Sequence, residues 1–309
     1  MFRYLFQSFI KKINSLNKKY MQHKLPFHFD METADPDDSM TLAVLATHPK
    51  VHLVSVSVHP GGTDQIGVVR RILQILDRED IRIGAGTPKS VANRVSDFHL
   101  KWVGKFEHSE ADDTAANIMA ETLRQFPECT LLSGAALTNP HALFETGAFF
   151  SRWFCQGGFA GDNIVPKEYR LEKFDGKLTC PTFNLNGNPL AAEALLSIPM
   201  KERRMISKNV CHGAVFNKAD AELLVPFRNH NKGLRLFLDA VELKEKALHD
   251  TVAALLAIDP SKALWAEVIP YRKRGEWGCL EAEKYPERPA SLITTYIPDL
   301  TDLWMVIKP

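Results

Sequence analysis

The 309-residue chain has almost no surplus charge: 38 lysines and arginines face 37 aspartates and glutamates, a formal net of +1. Nucleic-acid-binding proteins usually carry a concentrated basic face, so this balance leaves no electrostatic case for DNA or RNA. Cysteines are few, and the five (Cys129, Cys155, Cys180, Cys211, Cys279) include no CxxC pair. Neither a zinc knuckle nor a disulfide framework follows, and a reducing cytoplasm is the expected setting. No apolar run reaches the roughly 18 residues that a membrane-spanning helix needs. GxxxxGK(S/T) is missing, as is a GxGxxG after the first strand, which argues against phosphate-loop enzymes. A GxSxG elbow is missing too, which disfavours a Ser-His-Asp hydrolase.

What is present is an ordinary globular composition, 45% hydrophobic and 24% charged, sufficient for a sizeable core. Residues 25–309 contain no Pro/Ser/Gly-rich linker and are expected to form a single domain. Residues 1–24 differ. Phe2, Leu5, Phe6, Phe9, Ile10, Ile13 and Leu16 recur at helical spacing between Lys11, Lys12, Lys18 and Lys19. The apolar residues are periodic, not contiguous, so a signal peptide is not expected. A basic amphipathic helix of this kind either makes a peripheral membrane contact through residues 1–20 or covers the domain or an oligomer interface.

Apolar strand patterns alternate with helical ones. FHFDME, VHLVSVSVHPGG, IRIGAG, CTLLSGAALTN, RWFCQGGFAG and RMISKNVC read as strands with their exits. SMTLAVLATHP, GVVRRILQILDRED, AANIMAETLRQF, PLAAEALLSI and VAALLAIDP read as helices. This rhythm predicts an α/β fold: an open, mostly parallel central sheet with helices on both faces. Less regular stretches fall at 87–113 and 162–188, where long loops tend to carry function. In such sheets the ligand crevice lies beyond the C-terminal strand ends. The acidic loop, the LTN turn and the GGFAGDN turn all follow predicted strands and are expected to converge there.

The most informative segment is DMETADPDD, residues 30–38. Five carboxylates (Asp30, Glu32, Asp35, Asp37, Asp38) crowd into nine residues at the end of a hydrophobic strand. Without a counter-charge they repel and raise one another's pKa values. A divalent cation resolves the conflict, and oxygen-only ligands suit calcium or magnesium. A helix cap alone uses one or two carboxylates. The spacing is not that of an EF-hand.

This strand, loop and helix resemble the opening of the inosine-uridine nucleoside hydrolases, whose signature runs DxDPGxDD. Here glutamate holds the second acidic place and one residue is inserted, which makes Asp35 a competitor of Glu32. LLSGAALTNPHAL (131–143) resembles the family's TGPLTN turn, which would supply a main-chain carbonyl to the metal from Ser133 or Gly134. CQGGFAGDN (155–163) resembles the MGG…GN strand and puts Asn163 at the ribose-binding asparagine. CPTFNLNGNPLAAEAL (180–195) resembles AEFNxxxDPEAA: Asn184 is retained, while Thr182 stands where the family has a ribose-binding glutamate. KALHDTVAALLAIDP (246–260) resembles HDPVAVAYxxDP, with His249 and Asp250 in the site. The five matches run in order from residue 30 to 260.

The resemblance implies metal-dependent hydrolysis of the N-glycosidic bond of ribonucleosides to free base and ribose, with one Ca2+ ion. It implies metal ligation by Asp30, Glu32, Asp38, Ser133 and Asp250, with Glu32 or Asp35 as the base that deprotonates water. Asp37, Asn163 and Asn184 would hold ribose hydroxyls. His249 would either protonate the leaving base or only orient Asp250. His99 and Trp102, in FHLKW, are candidates for the base pocket or simple packing residues. His59 falls where the family has an asparagine near the ribose, and His212 follows another predicted strand. The expected partners are a nucleoside or related riboside, no nucleic acid, and further copies in a homo-oligomer. Glutamate at 32 and threonine at 182 keep two alternatives open: a hydrolase of another ribosylated or glycosidic compound, and a non-catalytic ribose- and metal-binding relative.

Overall fold

The computed structural model describes residues 24–86, 94–244 and 247–309; the amphipathic stretch proposed for membrane contact lies outside the described residues. The first strand, β1 (Leu25–Met31), is followed by helix α1 (Pro36–Thr47), β2 (Val51–Val58), α2 (Thr63–Ile75) and β3 (Arg82–Ala85). Then come α3 (Asp97–Val103), β4 (Asp113–Thr114), α4 (Ala115–Gln125), β5 (Thr130–Ser133), α5 (Thr138–Phe144) and β6 (Arg152–Gln156). The second half contains β7 (Thr179–Cys180), α6 (Phe183–Gly187), α7 (Pro189–Leu196), β8 (Glu202–Ile206), α8 (Lys208–Gly213), α9 (Lys218–Leu224), α10 (Lys232–Leu243) and α11 (His249–Ile258). β9 (Leu264–Lys273), β10 (Glu276–Glu281), β11 (Ser291–Tyr296) and α12 (Leu300–Trp304) complete the chain.

All eleven strands form one sheet in the order β4-β3-β2-β1-β5-β6-β8-β11-β9-β10-β7. From β4 to β11 neighbours run parallel; beyond β11 they run antiparallel. The predicted mostly parallel α/β sheet is therefore observed, with an antiparallel flank added by the C-terminal strands. Side-chain alternation sorts the core into two layers. On β5, β6 and β8, Leu132, Phe154 and Ile206 pack into one apolar cluster; Leu131, Trp153, Cys155 and Met205 pack into the other. Helices α1, α2, α10 and α11 cover the first layer, while α4, α5 and α7 cover the second. No helix among the described residues is long and apolar enough to cross a membrane.

One expected element is corrected. RMISKNVC is not a continuous strand: β8 stops at Ile206, and Ser207 caps α8 by accepting the Val210 N–H. Lys208 and His212 therefore stand four apart on one helix face.

The chain leaves β1 toward β2, β3 and β4, then returns to place β5 on the other side of β1. The β1/β5 boundary is thus a topological switch point, where loops part and leave a crevice beyond the strand ends. The acidic loop leaves β1 at this point and Gly134 leaves β5 beside it, its N–H donating to the Asp30 carbonyl at 2.8 Å.

Candidate active site

A cavity of about 560 Å³ opens at this switch point. Glu32, Asp35, Asp37, Asp38, Asn184, His249 and Asp250, all anticipated from sequence, line it. Residues without a role assigned from sequence line it as well: Gln156, Phe183 and Lys208.

The acidic loop has distinct jobs for its carboxylates. Asp35 is the N-cap of α1, accepting the Asp37 N–H at 2.9 Å, with Pro36 at the first helical position. Asp37 reaches across to α11 and accepts the Asp250 N–H at 2.9 Å and the Thr251 hydroxyl at 3.3 Å. The α11 N-cap, Leu248, has no capping side chain, so Asp37 supplies the cap from another helix. Burial pushes the Asp37 carboxyl up to about 6 against the pull of these bonds. Asp38 is buried too, and its pKa is raised well above the ordinary carboxylate value, first by burial and then by Asp250, Glu32 and Asp37. Its Oδ1 accepts the Glu32 N–H at 3.3 Å.

Asp38 and Asp250 converge on Gly134. A Cβ at that position would stand 2.5 Å from Asp38 Oδ1 and 2.9 Å from Asp250 Oδ1. Only glycine leaves the two carboxylates room to approach there.

Asp30 lies fully buried at the base of the same loop. Its Oδ1 meets the Ser57 hydroxyl at 2.5 Å and accepts from Asn139 Nδ2 at 2.8 Å. Its Oδ2 is buried with no hydrogen-bond partner among the described residues. The line continues through Ser57 to His28 Nε2 at 2.9 Å, from His28 Nδ1 to Ser55 at 2.7 Å, to Thr122 at 2.6 Å and to the Ile118 carbonyl at 2.8 Å. These five contacts need five protons. Three hydroxyls and one imidazole N–H supply four, so Asp30 and His28 share one more. Burial raises Asp30 to about 7 and lowers His28 to about 3.

Among the described residues, no three His, Cys, Asp or Glu side chains already form a metal-holding group. The donor types nevertheless fit a hard cation: a buried Asp30 oxygen lacking a hydrogen bond, and two carboxylates meeting in the space that Gly134 leaves open.

Other predicted residues lie elsewhere. The Ser133 hydroxyl accepts from Trp153 Nε1 at 2.9 Å, and it is the next residue, Gly134, that lines the cavity. His99 does not line the cavity; it is buried behind α1, its Nε2 2.9 Å from the Ser39 hydroxyl, and burial lowers it to about 4. Trp102 packs in the core and donates to the Leu236 carbonyl at 2.8 Å. Asn163 is spent on the Cys279 carbonyl of β10 at 2.7 Å, outside the cavity. His59 joins the Met31 carbonyl through its main-chain N–H at 2.8 Å, but its ring is not in the cavity wall. Asn184 is in the wall, its amide donating to the Gln156 carbonyl and Oε1 at 3.0 and 2.8 Å. Thr182 also lines it, with a buried Oγ1 that has no hydrogen-bond partner among the described residues. His212 faces His249 with ring centroids 5.2 Å apart.

Comparison with known proteins gives this geometry a family. Residues 27–292 match the model of the inosine-uridine preferring nucleoside hydrolases. An uncharacterized protein of Aquifex aeolicus is 29% identical over 275 residues, covering 82% of this chain and 90% of that protein. A plant nucleoside hydrolase superposes with a TM-score of 0.69 at 18% identity, covering 92% of this chain and 98% of its own. An inosine-uridine preferring nucleoside hydrolase from Bacillus anthracis superposes at 0.68 and 16% identity over the same shares. The chain belongs to the inosine-uridine preferring nucleoside hydrolase family, whose members are metal-dependent hydrolases of N-glycosyl bonds.

Proposed function

We propose that this chain hydrolyses the N-glycosidic bond of a ribonucleoside or closely related riboside, with one calcium ion bound by Asp30, Asp38 and Asp250. The observation that carries the reading is the convergence of Asp38 and Asp250 on Gly134 at the floor of a riboside-sized cavity. A divalent cation held there would lower the pKa of water and fix the ribose hydroxyls against the floor.

The chain's own residues do the rest. Glu32, on the cavity wall, is the base that takes the proton from water, while Asp35 holds the α1 cap. Asp37 acts as a positioning residue, since its carboxylate fixes the start of α11 and with it Asp250. Asn184, whose amide protons go to Gln156, keeps Oδ1 to accept from a ribose hydroxyl. His249, beside Asp250 at the first turn of α11, stands at the cavity wall to meet the leaving base. Fixing the sugar in this way favours the oxocarbenium-like transition state over the ground state.

The test is chromatographic detection of free base from inosine, uridine, adenosine and cytidine, with calcium and with chelator. Metal-dependent release from at least one nucleoside, lost in Asp38→Ala, supports the reading. No release from any of them, by folded protein that binds calcium, overturns it.

A further inference from the structure

The cavity carries charge of both signs. Asp38 and Asp250 converge on Gly134 and three further carboxylates, Glu32, Asp35 and Asp37, line the same cavity, while α8 contributes Lys208 and His212 to its wall. Lys208 is half-buried, and its ammonium donates to the Pro181 carbonyl at 2.8 Å. That acceptor is neutral, and two of the three ammonium protons remain for a ligand.

His212 extends the cationic wall. Its Nδ1 lies 2.9 Å from the Lys173 ammonium. An ammonium only donates, so Nδ1 accepts and the ring keeps its proton on Nε2. Burial, then Lys173 and Lys208, lower the imidazole's pKa, consistent with a neutral donor. Neither lysine is paired with a carboxylate among the described residues. His212 in turn faces His249, next to Asp250, so an ordered series of side chains runs from the acidic floor to the two lysines. Phe183 is 72% exposed on the same cavity, offering an aromatic face to a planar group.

An uncharged nucleoside gives this wall nothing to neutralise. We propose, resting on the N-ribosyl hydrolase reading, that the preferred riboside carries an anionic group, phosphate or carboxylate, placed against Lys208 and His212. The anion takes the free ammonium protons of Lys208 and the Nε2–H of His212, while the sugar sits on the acidic floor. Charge-assisted bonds of this type discriminate strongly between a charged ligand and its neutral analogue.

Uridine, uridine 5′-monophosphate and 6-carboxylated uridine distinguish the two sources of charge. The proposal expects at least one anionic compound to exceed uridine in kcat/KM by about tenfold or more. That ratio should fall toward one in Lys208→Met and in Lys173→Met. Whichever anionic compound gains identifies the phosphate or the carboxylate as the recognised group. If uridine is cleaved as well as or better than both, the anion preference is overturned while the hydrolase reading stands. Calorimetric binding to the wild-type chain in chelator gives a readout independent of turnover. Tighter binding of an anionic compound, lost in Lys208→Met, supports the proposal even if no compound is cleaved. Equal or weaker binding of both anions overturns it.

Discussion

Asp37 of the acidic loop accepts the main-chain N–H of Asp250 at 2.9 Å, across 213 residues of sequence. The carboxylate thereby caps helix α11 and ties it to helix α1, holding Asp250 opposite Asp38. Loss of a helix cap costs about 1 kcal/mol, and loss of a buried charged acceptor more. Asp37→Ala is therefore expected to lower unfolding stability by about 2 kcal/mol and to reduce activity sharply. Asp37→Asn, which keeps one acceptor oxygen, should recover most of the stability. Urea titrations of both variants check this; equal losses would show that the shared bond is not what matters.

Gly134 makes a second prediction. A methyl group there would enter the space between Asp38 and Asp250, so Gly134→Ala is expected to weaken calcium binding at least tenfold and to abolish turnover. The far-ultraviolet circular dichroism should remain native. Calorimetric titration with calcium is the check, and unchanged affinity would contradict the placement of the ion.

The third concerns pH. Burial holds Asp30 near 7, Asp37 near 6 and Asp38 well above its ordinary value. A carboxyl whose folded pKa is raised contributes stability that is full below about pH 4 and is lost as pH rises through the folded value. A cation needs the ionised forms, so its binding strengthens over the same range and releases protons. The calcium-induced rise in Tm should therefore grow steadily from pH 5 to pH 8. A rise that is constant across this window would count against carboxylates with raised pKa values as the ligands.

Two aromatic residues are expected to separate pocket from core. Phe183→Ala should raise KM with little change in stability, because the ring is mostly exposed on the cavity. Trp102→Ala should cost about 3 kcal/mol or more, since its ring fills the core and its N–H serves Leu236. Steady-state kinetics and thermal melts on the two variants read the difference.

The acidic floor was legible because five carboxylates in nine residues conflict unless something gathers them, and DMETADPDD is local. Gly134 was named only through the resemblance of its turn, as an alternative to Ser133 for a carbonyl donor; the space it leaves for Asp38 and Asp250 needed the fold. The cationic wall was hidden. Reading RMISKNVC as one strand left Lys208 inside it without a role and His212 beyond its end, although Ser207 was the available cap signal. FHLKW gave His99 and Trp102 helical spacing, but spacing does not say which way a face turns; His99 points to Ser39 and Trp102 to the core. Asn163 is held by β10, one of the antiparallel strands that the alternating pattern did not announce. The Asp30–Ser57–His28 line joins residues from two strands whose partnership only the register reveals.

The central claim is that a cation between Asp38 and Asp250 is what makes this chain cleave an N-glycosyl bond. The most direct measurement follows ribose release and calcium binding together, over one calcium titration, for wild type and Asp250→Asn. The account predicts that wild-type turnover rises in step with occupancy of a single calcium site, and that Asp250→Asn loses both while remaining folded. Turnover that persists in chelator, or that survives in Asp250→Asn with the site empty, would contradict it.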